Sequence, residues 1–518
     1  MRCILVTKIV LLWTLLLTFS ACSTAFDQAV QHYKVSGNDS LKIRAVQYLE
    51  RYAKYHAGVN RYLVNGNGER VDTVDYSRFE NGPDFKKYLE QNGYHFIKGE
   101  PVPDTDTLTA QYIINNVDLA FKAWQLPWAS KLNFDEFCKY ILPYRNIDEQ
   151  LSDWRGRFYE KYLPMILDSV SQPDSVLMVA DFIMRQLKRE LGYSQVMRQF
   201  YIDYMTPQQT EQMHFLECKA LAHYGTLVLR ACGVASSTIL THWRFSQVSH
   251  ACIWLPAVGG NSVSCRTSVY DEMQGMGLAK DTMASSRTWE YTYNINEEYY
   301  SLFKSGKVYK QLLIPVTRHD ITNHFSITKS YKIELPDSLK NEPALYLMRF
   351  GNWDWYPIRY GLIEQDSAIF KNATIHQLYR LGRYDKRLNR VIAMGTPFTI
   401  DSNGTTFKFD SKGDTVTMEI AYYCSETDKR LMRKVATKVW SDNGWKELIV
   451  NAPQWSYNSS TGEYRPSTKV GNDTGFVPIF HLAPVRVAQW SFVFDYELER
   501  PVGYKIPSSP EDENCIAY

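Results

Sequence analysis

Apolar residues recur at three- and four-residue intervals through the first half of the chain and at alternate positions through much of the second. Over residues 107–124, Leu108, Tyr112, Ile113, Val117 and Phe121 fall on one face of a helix. Similar spacing predicts helices over 44–55, 134–142 and 175–191, with Asn133 and Asp174 placed as N-caps of the last two. Residues 151–170 follow the pattern as well, and Pro164 is expected to kink or split that helix. Another helix is predicted from about Glu217 to Ala231, with Leu221, Tyr224, Leu227, Val228 and Ala231 as its buried side and Gly233 as its stop. Strand-like runs follow at 236–241, 250–255 and 262–270, the last two joined by a turn at Gly259-Gly260-Asn261. From about 306 onward the pattern is β, with strands expected at 311–316, 331–335, 344–348, 415–420 and 490–494. Residues 23–100 read as polar turns and aromatic patches, with a tight turn at Asn65-Gly66-Asn67-Gly68 and a break at Pro101 to Asp104.

A chain of 518 residues exceeds what one core usually organises. The element pattern predicts an α+β protein: a helical lead-in and a cysteine-bearing domain over 22–305, then two β-sandwich-like domains over 306–398 and 399–518. Residues 1–21 carry basic Arg2 and Lys8 and the apolar run Ile9 to Leu17 before Phe19-Ser20-Ala21-Cys22. That is too short for a membrane span and has the form of an export signal. Its ending resembles a bacterial lipobox, which implies a lipid anchor on Cys22 and an exported protein on the outer membrane, facing the periplasm or the cell surface. A net charge of +2 gives no electrostatic case for a nucleic-acid partner. No zinc-finger, P-loop or dinucleotide fingerprint occurs, and no cofactor or metal is implied.

Nine cysteines are present. Past Cys3 and Cys22 they are scattered, with no disulfide framework and no C-x-x-C pair. Cys218 stands at a predicted helix start, where unpaired N–H groups favour a thiolate. His250 begins a predicted strand and Asp271 ends the next. With the turn centred on Gly260, His250 pairs across from residue 270, beside Asp271. Cys218 would attack an acyl carbon, His250 would move the proton and Asp271 would orient the imidazole. His223 and His242 compete for the base role, and Glu272 competes with Asp271. Thirty-six Tyr and 13 Trp also admit peptide or glycan binding, with Trp243, Trp254, Trp353, Trp355 and Trp440 as available rings.

The segment from Cys218 to Ala235, with its Leu229-Arg230-Ala231-Cys232-Gly233-Val234-Ala235 ending, resembles the transglutaminase-like superfamily. Ser249-His250-Ala251-Cys252-Ile253-Trp254 and the lead-in 134–145 are similar to exported Bacteroidetes lipoproteins of that superfamily. The resemblance implies a papain-like transglutaminase core with Cys218, His250 and Asp271 as catalytic residues. It implies acyl transfer at peptide or amide bonds of a peptide, protein or glycopeptide, with hydrolysis favoured over cross-linking. Leu216, where members often carry Gly, and Ala235, in place of the usual Pro, depart from the pattern. The alternative is a catalytically inactive surface lipoprotein that binds a peptide or glycan.

Overall fold

The computed structural model describes residues 24–71, 74–171, 175–194, 196–197, 205–243, 249–259, 264–269, 274–275, 285–351, 354–375, 377 and 379–408, and short strands between 415 and 502. It is a mixed α+β structure. The lead-in contains α1 (Ala25–Val35), α2 (Ser40–Ala53) and α3 (Gly82–Asn92) around a two-stranded antiparallel sheet of β1 (Ala57–Val64) and β2 (His95–Pro103). α1 and α3 lie where turns were expected. Their start signals are nevertheless in the sequence: Thr24 and Asp27 form a reciprocal capping box, and Asn81 caps a helix with Pro at its first turn. Pro101 and Pro103 belong to β2 instead of breaking the chain, on a sheet of only two strands where a missing N–H is tolerated.

The next helices are α4 (Ala110–Trp124), α5 (Phe134–Tyr140), α6 (Trp154–Ser169), α7 (Val176–Glu190) and α8 (Pro207–Met213). Asn133 caps α5 through a capping box with Glu136, as expected. The expected cap Asp174 lies outside the described residues. Pro164 does not split α6, which continues past it to Ser169. Phe158, Tyr162 and Ile166 are buried along that helix, and the Phe158 ring meets Tyr224 at 5.0 Å, so tertiary packing outweighs the lost backbone bond.

At the centre is α9 (Cys218–Ala231), packed on an antiparallel sheet. Its strands are β3 (Ser237–Trp243), β4 (Ser249–Leu255), β5 (Cys265–Thr267), β6 (Gln274–Gly275), β7 (Ser285–Tyr291) and β8 (Arg318–Asp320), in the order β8-β7-β3-β4-β5-β6. Gly233, at φ 74°, follows α9, and an added Cβ would lie 2.5 Å from the Ala123 carbonyl oxygen. Both the backbone angle and the close approach require glycine there.

α10 (Glu297–Ser305) then leads into a second antiparallel sheet. Its strands are β9 (Thr328–Glu334), β10 (Ala344–Gly351), β11 (Asp354–Glu364), β12 (Ser367–Thr374), β13 (Tyr379–Asp385), β14 (Arg390–Ile400) and β15 (Thr406–Lys408), in the order β9-β12-β11-β10-β13-β14-β15. Leu345, Leu347, Ile358, Phe370, Tyr379, Phe398 and Ile400 form one core on it. Tyr346, Met348, Trp355 and Val391 form another with Trp289, Tyr299 and Leu313. Tyr331 on the edge strand β9 meets Phe398 on β14 at 5.7 Å. The sheet therefore curls over its own apolar face. β14 runs across the expected boundary at 398/399. Residues 311–316 do not form the expected strand. Lys310–Leu312 is a 3-10 turn, Leu313 plugs the second core, and Pro315 offers no ladder N–H.

Buried polar groups tie the lead-in to the centre. Arg145 donates from Nε to Asp104 Oδ2 at 2.8 Å and from Nη2 to Oδ1, while Tyr144 OH donates to Oδ2 at 2.9 Å. The Tyr293 hydroxyl sits 3.0 Å from that of Tyr144, and its ring stacks on His56 at 4.4 Å. Arg155 gathers the carbonyls of Ile141, Leu142 and Pro143 beyond the end of α5. These bonds turn the segment from Pro143 to Glu149 into the interior beneath α9.

Candidate functional site

Every residue of α9 from Ala220 to Ala231 is buried, whereas Cys218 and Lys219 at its first two positions are only partly covered. A helix enclosed on all sides belongs inside a protein. Here its N-terminus alone reaches toward the surface. Among the described cysteines Cys218 is the one that is not buried; Cys138, Cys232, Cys252 and Cys265 are free and buried. Burial pushes the Cys138 thiol up to about 12, with Asp135 adding to it, and burial raises Cys232 and Cys265 as well. These three behave as core side chains. Cys424 and Cys515 lie outside the described residues.

Glu217 is the N-cap of α9. Its Oε1 accepts the Ala220 N–H at 2.7 Å, and its Oε2 accepts the Cys218 thiol at 3.3 Å. The dipole at the N-terminus of α9 favours negative charge on sulfur. A carboxylate in contact with that sulfur disfavours it. The two neighbours of the thiol thus act in opposite directions.

Side-chain bonds fix how α9 lies on the sheet. Arg230 Nε donates to Ser236 O at 3.1 Å, Thr226 Oγ1 is 2.9 Å from Thr238 Oγ1, and Thr238 Oγ1 donates to Ala222 O at 3.3 Å. Later helix residues meet earlier residues of β3, so α9 runs against β3 and along β4. Gly225 faces β4 directly: an added Cβ would lie 2.6 Å from Ile253 Cδ1. Cys218 precedes Gly225 by seven residues, about 10.5 Å of helix rise. His250 precedes Ile253 by three, about 10 Å of strand. Cys218 and His250 therefore stand at the same end of the helix–sheet pair.

The two histidines that compete for the base role have different surroundings. His223 is fully enclosed. Its Nδ1 accepts from Asn146 Nδ2 at 3.0 Å, and the same amide donates to Thr238 Oγ1 at 2.8 Å. Burial pushes the His223 pKa below its ordinary value, with Arg230, Lys219 and Arg145 acting the same way against Glu149. It serves as a neutral brace under α9. His242 sits on β3 across from Arg287. Burial pushes it down to about 3, aided by Arg349, Arg287 and Arg318, which makes it a weak base at neutral pH.

Asp271 and Glu272 lie outside the described residues. The described pairs of β4 and β5, Ile253–Thr267, Trp254–Arg266 and Leu255–Cys265, keep the register implied by a turn centred on Gly260. Trp254 and Trp355 are buried in separate cores and offer no ring platform. The side chains of Trp243, Trp353 and Trp440 lie outside the described residues, as does Cys22. Among the described residues no group of His, Cys, Asp and Glu is arranged to hold a metal ion, and no helix is long and apolar enough to cross a membrane.

Sequence reasoning took Glu217 only as a helix start and missed its contact with the thiol. A carboxylate immediately before a helix-opening Cys was the available signal. It also missed Asn146 and Glu149. Glu149 accepts the N–H groups of Asn146 and Ile147 at 2.7 and 2.8 Å. The polar run after Pro143 gives no local hint that it folds inward. No family model matches the chain, and neither a curated protein nor a solved structure does.

Proposed function

We propose that the chain is a cysteine-dependent acyl-transfer enzyme acting on peptide or amide bonds, with Cys218 as nucleophile and His250 as base, on a transglutaminase-like, papain-like core. The observation that carries this reading is the partly exposed Cys218 opening an enclosed helix whose register along β4 brings it level with His250. The environments of His223 and His242 support His250 as the base. Alternation along β4 puts Ala251 and Ile253 toward α9, so the imidazole would meet the thiol around the end of the strand. In the reaction, sulfur bonds to the acyl carbon, its proton passes to the imidazole, and the C–N bond breaks as that proton goes to the departing amine. Water then attacks the thioester and restores the thiol. Asp271 orients the imidazole in this scheme.

A thiol-directed acyl probe, followed by mass spectrometry of the labelled peptide, tests the proposal. Labelling at Cys218 that disappears in Cys218→Ala is expected; equal labelling of that variant would sink the mechanism. The Glu217 carboxylate favours a second reading, in which the site binds a peptide or glycan without catalysis. On that reading Cys218→Ala leaves ligand binding intact and no substrate is turned over. Anchoring through Cys22 on the outer membrane belongs to the same proposal, supported by the Ile9 to Leu17 run and the Ala21-Cys22 ending. Labelled palmitate should enter the wild type and not Cys22→Ser; equal incorporation removes this anchor.

A further inference from the structure

A second site is built far from Cys218 in sequence, where β7 and β8 meet α10 and the curled sheet. It is a cavity of about 450 Å³. Its floor holds Arg287 and Arg359, exposed by only 2% and 3%. Both guanidinium groups reach the same carboxylate: Arg359 Nη1 donates to Asp320 Oδ2, and Arg287 Nε lies 3.4 Å from that oxygen. Their other bonds go to neutral groups. Arg287 donates to Ile358 O and to Tyr299 OH, and Arg359 donates to Ser286 O and Thr322 Oγ1. Asp320 also takes the N–H and hydroxyl of Thr322. One carboxylate thus faces two permanently charged groups.

Burying an unbalanced charge is costly, and several kcal/mol is typical even after relaxation. Among the described residues, the Nε atoms of Arg287 and Arg359 and Nε2 of His319, all from residues lining the cavity, have no hydrogen-bond partner, Arg287 Nε having only its 3.4 Å ion pair with Asp320. Glu298 and Glu364 at the rim are exposed. Glu298 already accepts from Tyr360 OH at 2.9 Å and lies 3.6 Å from Lys371 Nζ. They do not neutralise the floor. Tyr299, Tyr360, Asn296 and Asn372 also line the cavity, with Asn296 Oδ1 accepting the Tyr299 N–H at 3.2 Å. Rings beside amides suit a hydroxylated ring compound, and the guanidinium groups suit a carboxylate.

We propose that this cavity binds a small, singly charged sugar acid, with its carboxylate on the Arg287–Arg359 floor. The inference is independent of the thiol chemistry at Cys218. A single negative charge balances the floor, while the two rim acids disfavour polyanions.

The test titrates the full chain with glucuronate at low salt by calorimetry, with glucose, glutarate and sulfate as comparators. Saturable 1:1 binding of glucuronate, at least tenfold tighter than any comparator, is expected. Lys371→Glu, an exposed change at the rim, should weaken it about tenfold without altering the unfolding temperature, and Arg359→Gln should abolish it. Equal binding of glutarate removes the sugar, equal binding of sulfate removes the carboxylate, and no binding of glucuronate overturns the site. Should Arg359→Gln fail to fold, Lys371→Glu and Asn372→Ala decide: unchanged affinity in both contradicts the proposal.

Discussion

The thiol at the head of α9 and the arginine floor between the two sheets are both charge sites, but they are set up in opposite ways. Cys218 is partly exposed and can gain or lose its charge, and its nearest neighbours disagree: the helix N-terminus favours an anion and Glu217 opposes it. Arg287 and Arg359 are enclosed and always charged, and they share one carboxylate. A site for chemistry needs a group that changes state, whereas a recognition site needs charge fixed in advance. The difference also appears in how each is supported. α9 is held by hydrogen bonds through Asn146, His223 and Thr238 and by the Arg230 guanidinium on backbone carbonyls. The floor stands on ion pairs.

The largest effect that sharpens this contrast is on stability. Asp320→Ala leaves both guanidinium groups without their carboxylate and should cost about 3–5 kcal/mol in urea unfolding. Cys218→Ser, at a partly exposed position, should cost less than about 1 kcal/mol. Similar losses for the two would break the distinction. Gly225→Ala comes next. The new Cβ collides with the tip of Ile253, so about 1–3 kcal/mol is expected, relieved in the Gly225→Ala/Ile253→Val double variant. Additive losses would show that α9 does not lie along β4 as described. Glu217→Gln keeps an acceptor for the Ala220 N–H and removes the charge beside sulfur. Iodoacetamide should then modify Cys218 several-fold faster, with the unfolding midpoint nearly unchanged; a slower reaction would mean that the carboxylate assists the thiol.

The gentlest effect is the acid limb of stability. Burial pushes His56 and His223 below 6.5, so the folded protein refuses protons that the unfolded chain accepts. Their contribution is full above about pH 6.5 and is lost as pH falls below it. Burial raises the Glu149 carboxyl, but His223, Arg145 and two backbone N–H groups outweigh it and the net direction is down. Asp320 behaves alike, with Arg359, Arg287 and Thr322 outweighing burial. The carboxylates add a second loss as pH falls below their ordinary values of 4.5 and 3.8. His223→Gln should flatten the first stage and shrink the Glu149 share of the second, leaving that of Asp320. An unchanged limb between pH 6.5 and 5 would contradict the neutral brace under α9.

The two sites also differ in how far the sequence reveals them. α9, its Gly233 stop, β3 and β4 were legible because caps, periodicity and a hairpin turn are local signals. Cys218 and His250 were proposed from those elements together with the family resemblance. The arginine floor draws on Arg287, Asp320 and Arg359, from three strands far apart in the chain, and no periodicity brings them together. The curl of the second sheet was hidden for the same reason, since alternation marks faces but not which edges meet. Pro164 misled because its local cost is offset by packing against Tyr224.

The central claim is that His250 activates Cys218, and the pH dependence of iodoacetamide modification at Cys218 tests it most directly. The wild type should show a reactive plateau extending well below the pH at which a free thiol ionises, and His250→Ala should lose that plateau while His242→Ala keeps it. Superimposable curves for wild type and His250→Ala would contradict the account.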